Sequence, residues 1–286
     1  MSKIKKENIQ EITKHSPLYP KEWLDFPDAP QTLYAIGNVE LLKQRKITMV
    51  GSRRTPSSAL KLGADIAKAL TAHFVVVTGS ADGGDMAAIA GGMASGKIIC
   101  LLAGGFSAIT QSALSVLDDV ADKGLLLSPH EYDTPVRNFS FEYRNKLLAA
   151  LGEGTIVLGA PEKSGALITA KYAEKLDKKV FALPYAPNTS AGEGCNALIK
   201  KGAYLVENAT DVLSAFDIDE RQAKPVVTLS ADEEKLWTAL KDMTEAHVTE
   251  LAQATGVPVF KIRAVLSALE VKGLAVSLGG NRYSPV

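Results

Sequence analysis

The chain has little that would mark it for export, metal chemistry or a membrane. Of its 286 residues only two are cysteine, Cys100 inside an apolar run and Cys195 in a glycine-rich stretch. Two thiols so placed give neither a disulfide framework nor metal-ligand spacing, and they fit a reducing cytoplasm. An excess of charge is missing too. Lys plus Arg and Asp plus Glu both total 32, so any polyanion has to be held by a local patch rather than by the surface as a whole. The N-terminus, with Lys3, Lys5, Lys6, Glu7 and Glu11, lacks an apolar signal core, and no stretch is long and apolar enough to span a bilayer. Export and membrane insertion are therefore not expected. No internal repeat, nucleophile triad or metal cluster is visible, so neither a metal nor a cofactor is expected.

What is present is a regular alternation. Apolar runs at Ile47 to Val50, Val75 to Val77, Ile98 to Leu102, Leu125 to Leu127, Thr155 to Leu158, Val180 to Leu183 and Tyr204 to Val206 are separated by helical stretches such as Leu60 to Ala72 and Met86 to Ser95. Buried strands alternating with helices predict an α/β fold, a Rossmann-like, mostly parallel sheet covered by helices on both faces. Residues 1–45, with Tyr19-Pro20, Trp23-Leu24, Phe26-Pro27 and Leu33-Tyr34, read as an N-terminal arm packed on that core, which extends over 46–216. A polar linker is expected at 217–229. Over 230–286, three short helices precede a hairpin turning at Gly279-Gly280, the order of a small winged-helix domain.

Three loops follow strands directly: Gly51-Ser52-Arg53-Arg54, Thr78-Gly79-Ser80-Ala81-Asp82-Gly83-Gly84-Asp85 and Lys163-Ser164-Gly165-Ala166. In an open α/β sheet the carboxyl ends of the strands share one rim, so these loops should converge on one anionic ligand. Gly51 allows close backbone approach, Ser52 offers a hydroxyl and Arg53 a two-pronged phosphate fork. The same residues also suit a plain strand-to-helix turn with Ser52 or Ser57 as a helix cap and the arginines in water. Asp82 and Asp85 fit the role of fixing their turn better than acid-base chemistry. Neither a dinucleotide fingerprint nor a Walker A loop is present. Arg144-Asn145-Lys146 shares a helical stretch with Phe139, Phe141 and Tyr143, rings that either stack on bases or belong to the core.

Taken together, Gly51-Ser52-Arg53, Thr78 to Asp85, Phe141 to Lys146, Lys163 to Ala170 and Gly194-Cys195-Asn196-Ala197-Leu198-Ile199 resemble the DNA-processing protein A family, DprA or Smf, over Tyr19 to Leu213. The C-terminal segment is similar to the winged-helix module of many members. The resemblance implies a homodimeric, cytoplasmic, non-enzymatic protein that binds single-stranded DNA and loads the RecA recombinase during natural transformation. Position by position, it places Gly51, Ser52, Arg53, Gly79, Ser80, Gly83, Asp85, Arg144, Asn145, Lys163, Ser164, Gly165 and Thr169 in or around a phosphate-binding pocket, with Arg53 and Lys163 foremost on charge grounds.

The chain departs from the family pattern at Ala108-Ile109-Thr110-Gln111-Ser112, where a Tyr-Pro stretch is usual, at Gly84 in place of isoleucine, at Gly159-Ala160 and at Pro184-Tyr185. A competing reading is a nucleotide-cleaving phosphoribohydrolase on a related scaffold. Its Pro-Gly-Gly-x-Gly-Thr-x-x-Glu motif is absent, since Leu102-Ala103-Gly104-Gly105-Phe106 does not continue as required. In the C-terminal segment from Thr228, six cations face seven acids, which argues against a strong major-groove reader.

Overall fold

The computed structural model describes residues 2–218 and 229–285, and these fall into two compact units. The first is built on a nine-stranded sheet. Its strands are β1 (Gln10–Thr13), β2 (Thr32–Gly37), β3 (Lys46–Val50), β4 (Val75–Thr78), β5 (Ile98–Leu101), β6 (Leu125–Ser128), β7 (Gly154–Val157), β8 (Lys179–Ala182) and β9 (Tyr204–Leu205). Their spatial order is β1-β2-β6-β5-β4-β3-β7-β8-β9. From β6 through β9 every neighbouring pair is parallel, while β2 runs antiparallel to both β6 and β1.

The seven runs read as strands in the sequence are all strands of this sheet, and for β3 to β8 the reason is their two-sided burial, whereas β9 is an exposed edge strand. Successive residues point to opposite faces, and both faces are dry. Ile47, Met49, Val76, Ile98, Cys100, Leu126, Ile156 and Phe181 join one apolar cluster, together with Ile66 and Leu70 of α1 (Ser57–Leu70), Ala88 and Ile89 of α2 (Gly84–Met93), Val120 of α3 (Gln111–Lys123) and residues 212–213 further on. Val50, Val75, Val77, Ile99, Leu101, Leu127, Val157 and Val180 join a second, on the other face. That face is covered by α4 (Asn138–Leu151), α5 (Gly165–Lys175) and α6 (Glu193–Lys200), and α7 (Ala209–Ala215) closes the unit on the first. The helices begin two or three residues earlier than the apolar periodicity placed them, because their first turns are polar or glycine and carry no periodic signal.

The segment through residue 45 is more than an arm. It supplies β1 and β2, and its rings enter the second cluster: Trp23 is fully buried and donates its indole N–H to Leu147 O at 3.1 Å, while Tyr19 donates to Pro30 O. Strands of four and six residues, separated by a proline-rich segment, leave too short an alternation to be legible in the sequence.

A buried ion pair ties this segment to the sheet. Lys46, 1% exposed, places its ammonium against Glu22 Oε1 at 2.9 Å, Leu42 O at 2.9 Å and Gln44 O at 2.7 Å. Three acceptors match the three donors of an ammonium, the condition under which such burial is tolerated. Lys178 lies in the same electrostatic neighbourhood and donates to the carbonyls of Ala150 and Gly152. Burial pushes its pKa down to about 8, Lys46 adds to the effect, and Glu22 and Glu153 oppose it.

The second unit contains α8 (Ala231–Met243), β10 (Ala246–His247), α9 (Val248–Thr255), α10 (Val259–Val271), β11 (Ala275–Gly279) and β12 (Arg282–Pro285). Its three helices enclose Leu236, Leu240, Leu251, Ile262, Leu266 and Leu269, and the strands pair in the order β10-β12-β11. This is a winged helix, with β10 adding a third strand to the expected hairpin. The 217–229 stretch expected as a linker lies mostly outside the described residues.

Lys178 gives a pH test of the core. With a folded pKa of about 8 against an ordinary 10.5, the unfolded chain holds more protons than the fold between those values, so this residue's contribution to stability rises with pH across that window. Urea unfolding of wild type and Lys178→Met at a series of pH values should show the wild type gaining on the variant from about 8 upward, and a constant difference would refute the burial argument.

Candidate functional site

The strand order reverses between β3 and β7. From β3 the chain proceeds outward through β4, β5 and β6 on one side, and β7, β8 and β9 fill the other. At such a switch point the loops leaving the two central strands diverge and open a crevice at the carboxyl rim. A cavity of about 500 Å³ lies there. It is lined by Gly51, Ser52, Arg53 and Arg54 from the loop after β3, by Ala81 and Asp85, by Phe141, Arg144 and Asn145 of α4, and by Lys163, Ser164, Gly165 and Thr169 around the start of α5.

Ten of the thirteen residues singled out in the sequence thus line one cavity. Gly79, Ser80 and Gly83 do not. Gly79 and Gly83 shape the wall from behind, and Ser80 opens instead on an adjoining cavity. A side chain at Gly79 would fall 1.5 Å from Arg144 Nη1, so this glycine makes room for the guanidinium. Gly83, at φ 82, has a conformation that suits glycine, and it abuts the Ser52 carbonyl. Gly84 and Gly51 press backbone to backbone: a Cβ on Gly84 would lie 2.2 Å from Gly51 Cα. The isoleucine that the resemblance leads one to expect at position 84 would not fit this approach.

Asp85 and Arg144 are 4% and 5% exposed and face each other at 3.5 Å. The Asp85 carboxylate also accepts from Ala81 N–H at 3.1 Å, and Arg144 Nη1 donates to Leu101 O at 3.4 Å. Burial pushes the Asp85 carboxyl up, while Arg144 and the N–H groups of Ala81 and Gly51 pull it back. Asp85 therefore fixes the second loop and the arginine, as the turn reading expected. Arg144 lines the cavity with its charge already matched.

The remaining cations behave differently. Arg53, Arg54 and Lys163 are exposed, line the cavity and have no carboxylate partner among the described residues. Ser52 Oγ accepts from Arg54 N–H at 3.1 Å, leaving its hydroxyl proton free to donate. Neither Ser52 nor Ser57 caps α1, whose N-cap is Pro56, so the capping alternative does not account for the loop. Ser164 is the N-cap of α5 and accepts from Ala166 N–H at 3.3 Å. The first turn of α5, with its partial positive charge, therefore borders the cavity. Asn145 donates to Gly165 O at 3.1 Å and holds α4 to that turn. Buried beneath, Thr169 Oγ1 has no hydrogen-bond partner among the described residues. Hydroxyls, a helix N-terminus and three cations without a carboxylate partner among the described residues are groups able to hold an anion.

The core alternative for the α4 rings is corrected in two of three cases. Phe139 is 65% exposed and Phe141 40%, whereas Tyr143 is half-buried and donates to Asp28 O. Phe141 and Arg54 are lining residues missing from the sequence-derived set. Phe141 stands three and four residues before Arg144 and Asn145, the helical spacing of a shared face, and that signal was available.

Residues 10–217 match the family model for DNA recombination-mediator protein A, and residues 220–281 match the DprA winged helix domain. The chain belongs to the DprA family. DNA processing protein DprA of Streptococcus pneumoniae is 34% identical over 201 residues, 70% of this chain and 71% of that protein. Its X-ray structure superposes with a TM-score of 0.69 at 32% identity, covering 74% of this chain and 75% of that one. DNA processing protein A from Helicobacter pylori, solved in a study of its single-stranded DNA binding mode, gives a TM-score of 0.68 at 28% identity over 77% of this chain and all of that one.

The buried pair in this DprA chain predicts an asymmetry. Asp85→Ala leaves a buried guanidinium unpaired and should cost about 3–5 kcal/mol in urea unfolding, whereas Asp85→Leu combined with Arg144→Met should cost clearly less. Equal losses would mean the pair itself, rather than its completeness, supplies the stability.

Proposed function

We propose that this protein is a cytoplasmic, non-enzymatic mediator that binds single-stranded DNA by its backbone phosphates and presents it to the RecA recombinase in natural transformation. The observation that carries the reading is the cavity at the β3/β7 switch point, where Arg53, Arg54 and Lys163 stand unpaired beside the N-terminus of α5. A chain of zero net charge has concentrated free cations at the one rim where an α/β sheet binds anions. The single-stranded DNA binding of the Helicobacter pylori relative and the family's recombination-mediator description support the same ligand and role. Phe139 and Phe141, exposed on the helix that carries Arg144, offer faces on which bases of an unpaired strand stack, at about 1–3 kcal/mol each.

Two features support the non-enzymatic part. Asp85, the carboxylate in the cavity, is committed to Arg144 and Ala81, and the free groups are donors and cations, which hold an anion without exchanging a proton with it. The winged helix contributes less to phosphate binding in this reading. Arg282 pairs with Glu245, Lys272 with Glu233, Arg263 donates to Asn281, and Lys241 lies over the Trp237 ring. Dimerisation completes the proposal. The edge strand β9 leaves Tyr204 and Leu205 each 45% exposed, an apolar edge unpaired among the described residues, of the kind a second copy covers.

Fluorescence anisotropy of labelled single-stranded and duplex oligonucleotides at several salt concentrations tests the reading. Wild type should prefer the single strand, and Arg53→Ala and Lys163→Ala should each weaken binding across sequences and lower the salt slope by about one. A folded wild type that binds neither strand, or variants that bind like wild type, would contradict it.

A further inference from the structure

The chain leaving β7 is held at three successive carbonyls, each by a different part of the unit. Leu158 O accepts from the Tyr185 hydroxyl, Gly159 O from Ser52 N–H at 2.8 Å, and Ala160 O from Gly194 N–H at 2.8 Å. The middle bond joins this loop to the one after β3. It therefore fixes how Ser52 and Arg53 stand relative to Lys163 and Ser164 across the cavity that all four line. Gly159 is the weak joint of the arrangement. A Cβ there would lie 2.4 Å from Thr55 Oγ1 and 2.9 Å from the Tyr185 hydroxyl, so the space suits glycine, the residue that leaves a backbone freest. Such a joint is fixed from outside.

Tyr185 is built to do that fixing. Its N–H donates to Asn196 Oδ1 at 3.0 Å and its carbonyl accepts from Asn196 Nδ2 at 2.9 Å, which clamps it to α6. Its ring lies against Gly192, where a Cβ would fall 2.0 Å from the tyrosine Cγ, and packs on both apolar clusters of the sheet. Burial pushes the hydroxyl's pKa up, so the group stays protonated and remains a donor. A phenylalanine would fill the same space. What the hydroxyl adds is its hold on Leu158 O. Gly159 and Tyr185, two of the positions at which the sequence departs from the pattern it resembles, face each other here. We propose that Tyr185, which does not itself line the cavity, is a positioning residue for phosphate binding: its hydroxyl fixes the Leu158–Gly159 peptide and, through the Gly159 carbonyl, holds Ser52 and Arg53 in the arrangement that meets the anion. The inference rests on the phosphate-binding reading and adds a residue to it.

Titration of labelled oligothymidylate into wild type, Tyr185→Phe, Arg53→Ala and the double variant tests this, together with amide hydrogen exchange of the DNA-free proteins. Tyr185→Phe keeps the ring and removes only the hydroxyl. It should weaken binding about fivefold, the scale of one neutral hydrogen bond, and speed exchange at Ser52 N–H. Val77 N–H, inside β4, should stay as protected as in wild type, which shows the variant to be folded. In the Arg53→Ala background the same substitution should cost clearly less, because the group it positions is gone. Tyr185→p-aminophenylalanine, which sets an N–H donor in place of the hydroxyl, should restore both affinity and Ser52 protection, a rescue that core filling alone does not produce. Unchanged binding by Tyr185→Phe, with or without faster exchange at Ser52, would overturn the inference and leave the phosphate reading intact. So would an equal loss in both backgrounds, or a loss that the amino variant leaves in place. A wild type that binds no strand removes the phosphate reading and this inference with it.

Discussion

The close approach of two loops at the centre of the sheet sets the geometry on which the candidate site depends. Gly51 and Gly84 touch backbone to backbone, and Gly79 leaves the space that Arg144 occupies against Asp85. A methyl group at any of these positions meets backbone or guanidinium atoms well inside contact distance. With the loops drawn together, the Asp85–Arg144 pair is sealed from water and becomes a rigid strut between α2, α4 and the sheet. The arginine is thereby oriented, and the uncompensated charge falls to Arg53, Arg54 and Lys163 at the mouth.

The architecture explains why a site lies here. A sheet whose strands propagate in both directions from β3 and β7 has one place where the following helices part. The helix starts and loop amides that border that opening favour anions before any side chain is chosen. Side chains then set the ligand. In the proposed reading, the exposed cations, the N-cap serine and the buried threonine meet phosphate oxygens, and exposed phenylalanine rings meet bases. A separate constraint anchors the opposite end of the strands, where the fully coordinated Lys46 ammonium binds the N-terminal segment to the sheet through Glu22.

Much of this was legible in the sequence. Strands buried on both faces leave continuous runs such as Val75 to Val77 and Leu125 to Leu127, and glycine-bearing loops directly after them mark the rim. The shared cavity could be foreseen because parallel strands end on one side. Other features required three dimensions. β1 and β2 are short and flanked by proline, so their alternation is too brief to read. Nothing in the order of residues tells an arginine left exposed at the cavity mouth from one matched to a buried carboxylate, so Arg144 and Arg53 look alike until Asp85 is seen opposite the former. The exposure of Phe141 and the displacement of Ser80 to the adjoining cavity likewise depend on which way a helix face and a loop turn.

The central claim is that DNA is held at the β3/β7 switch point. Ultraviolet cross-linking of the protein to a thymidine-rich single strand, with the linked residues mapped by mass spectrometry, tests it most directly. The account predicts adducts on the segments containing Arg53, Phe141 and Lys163. Adducts confined to the winged helix, with none at those three segments, would contradict it.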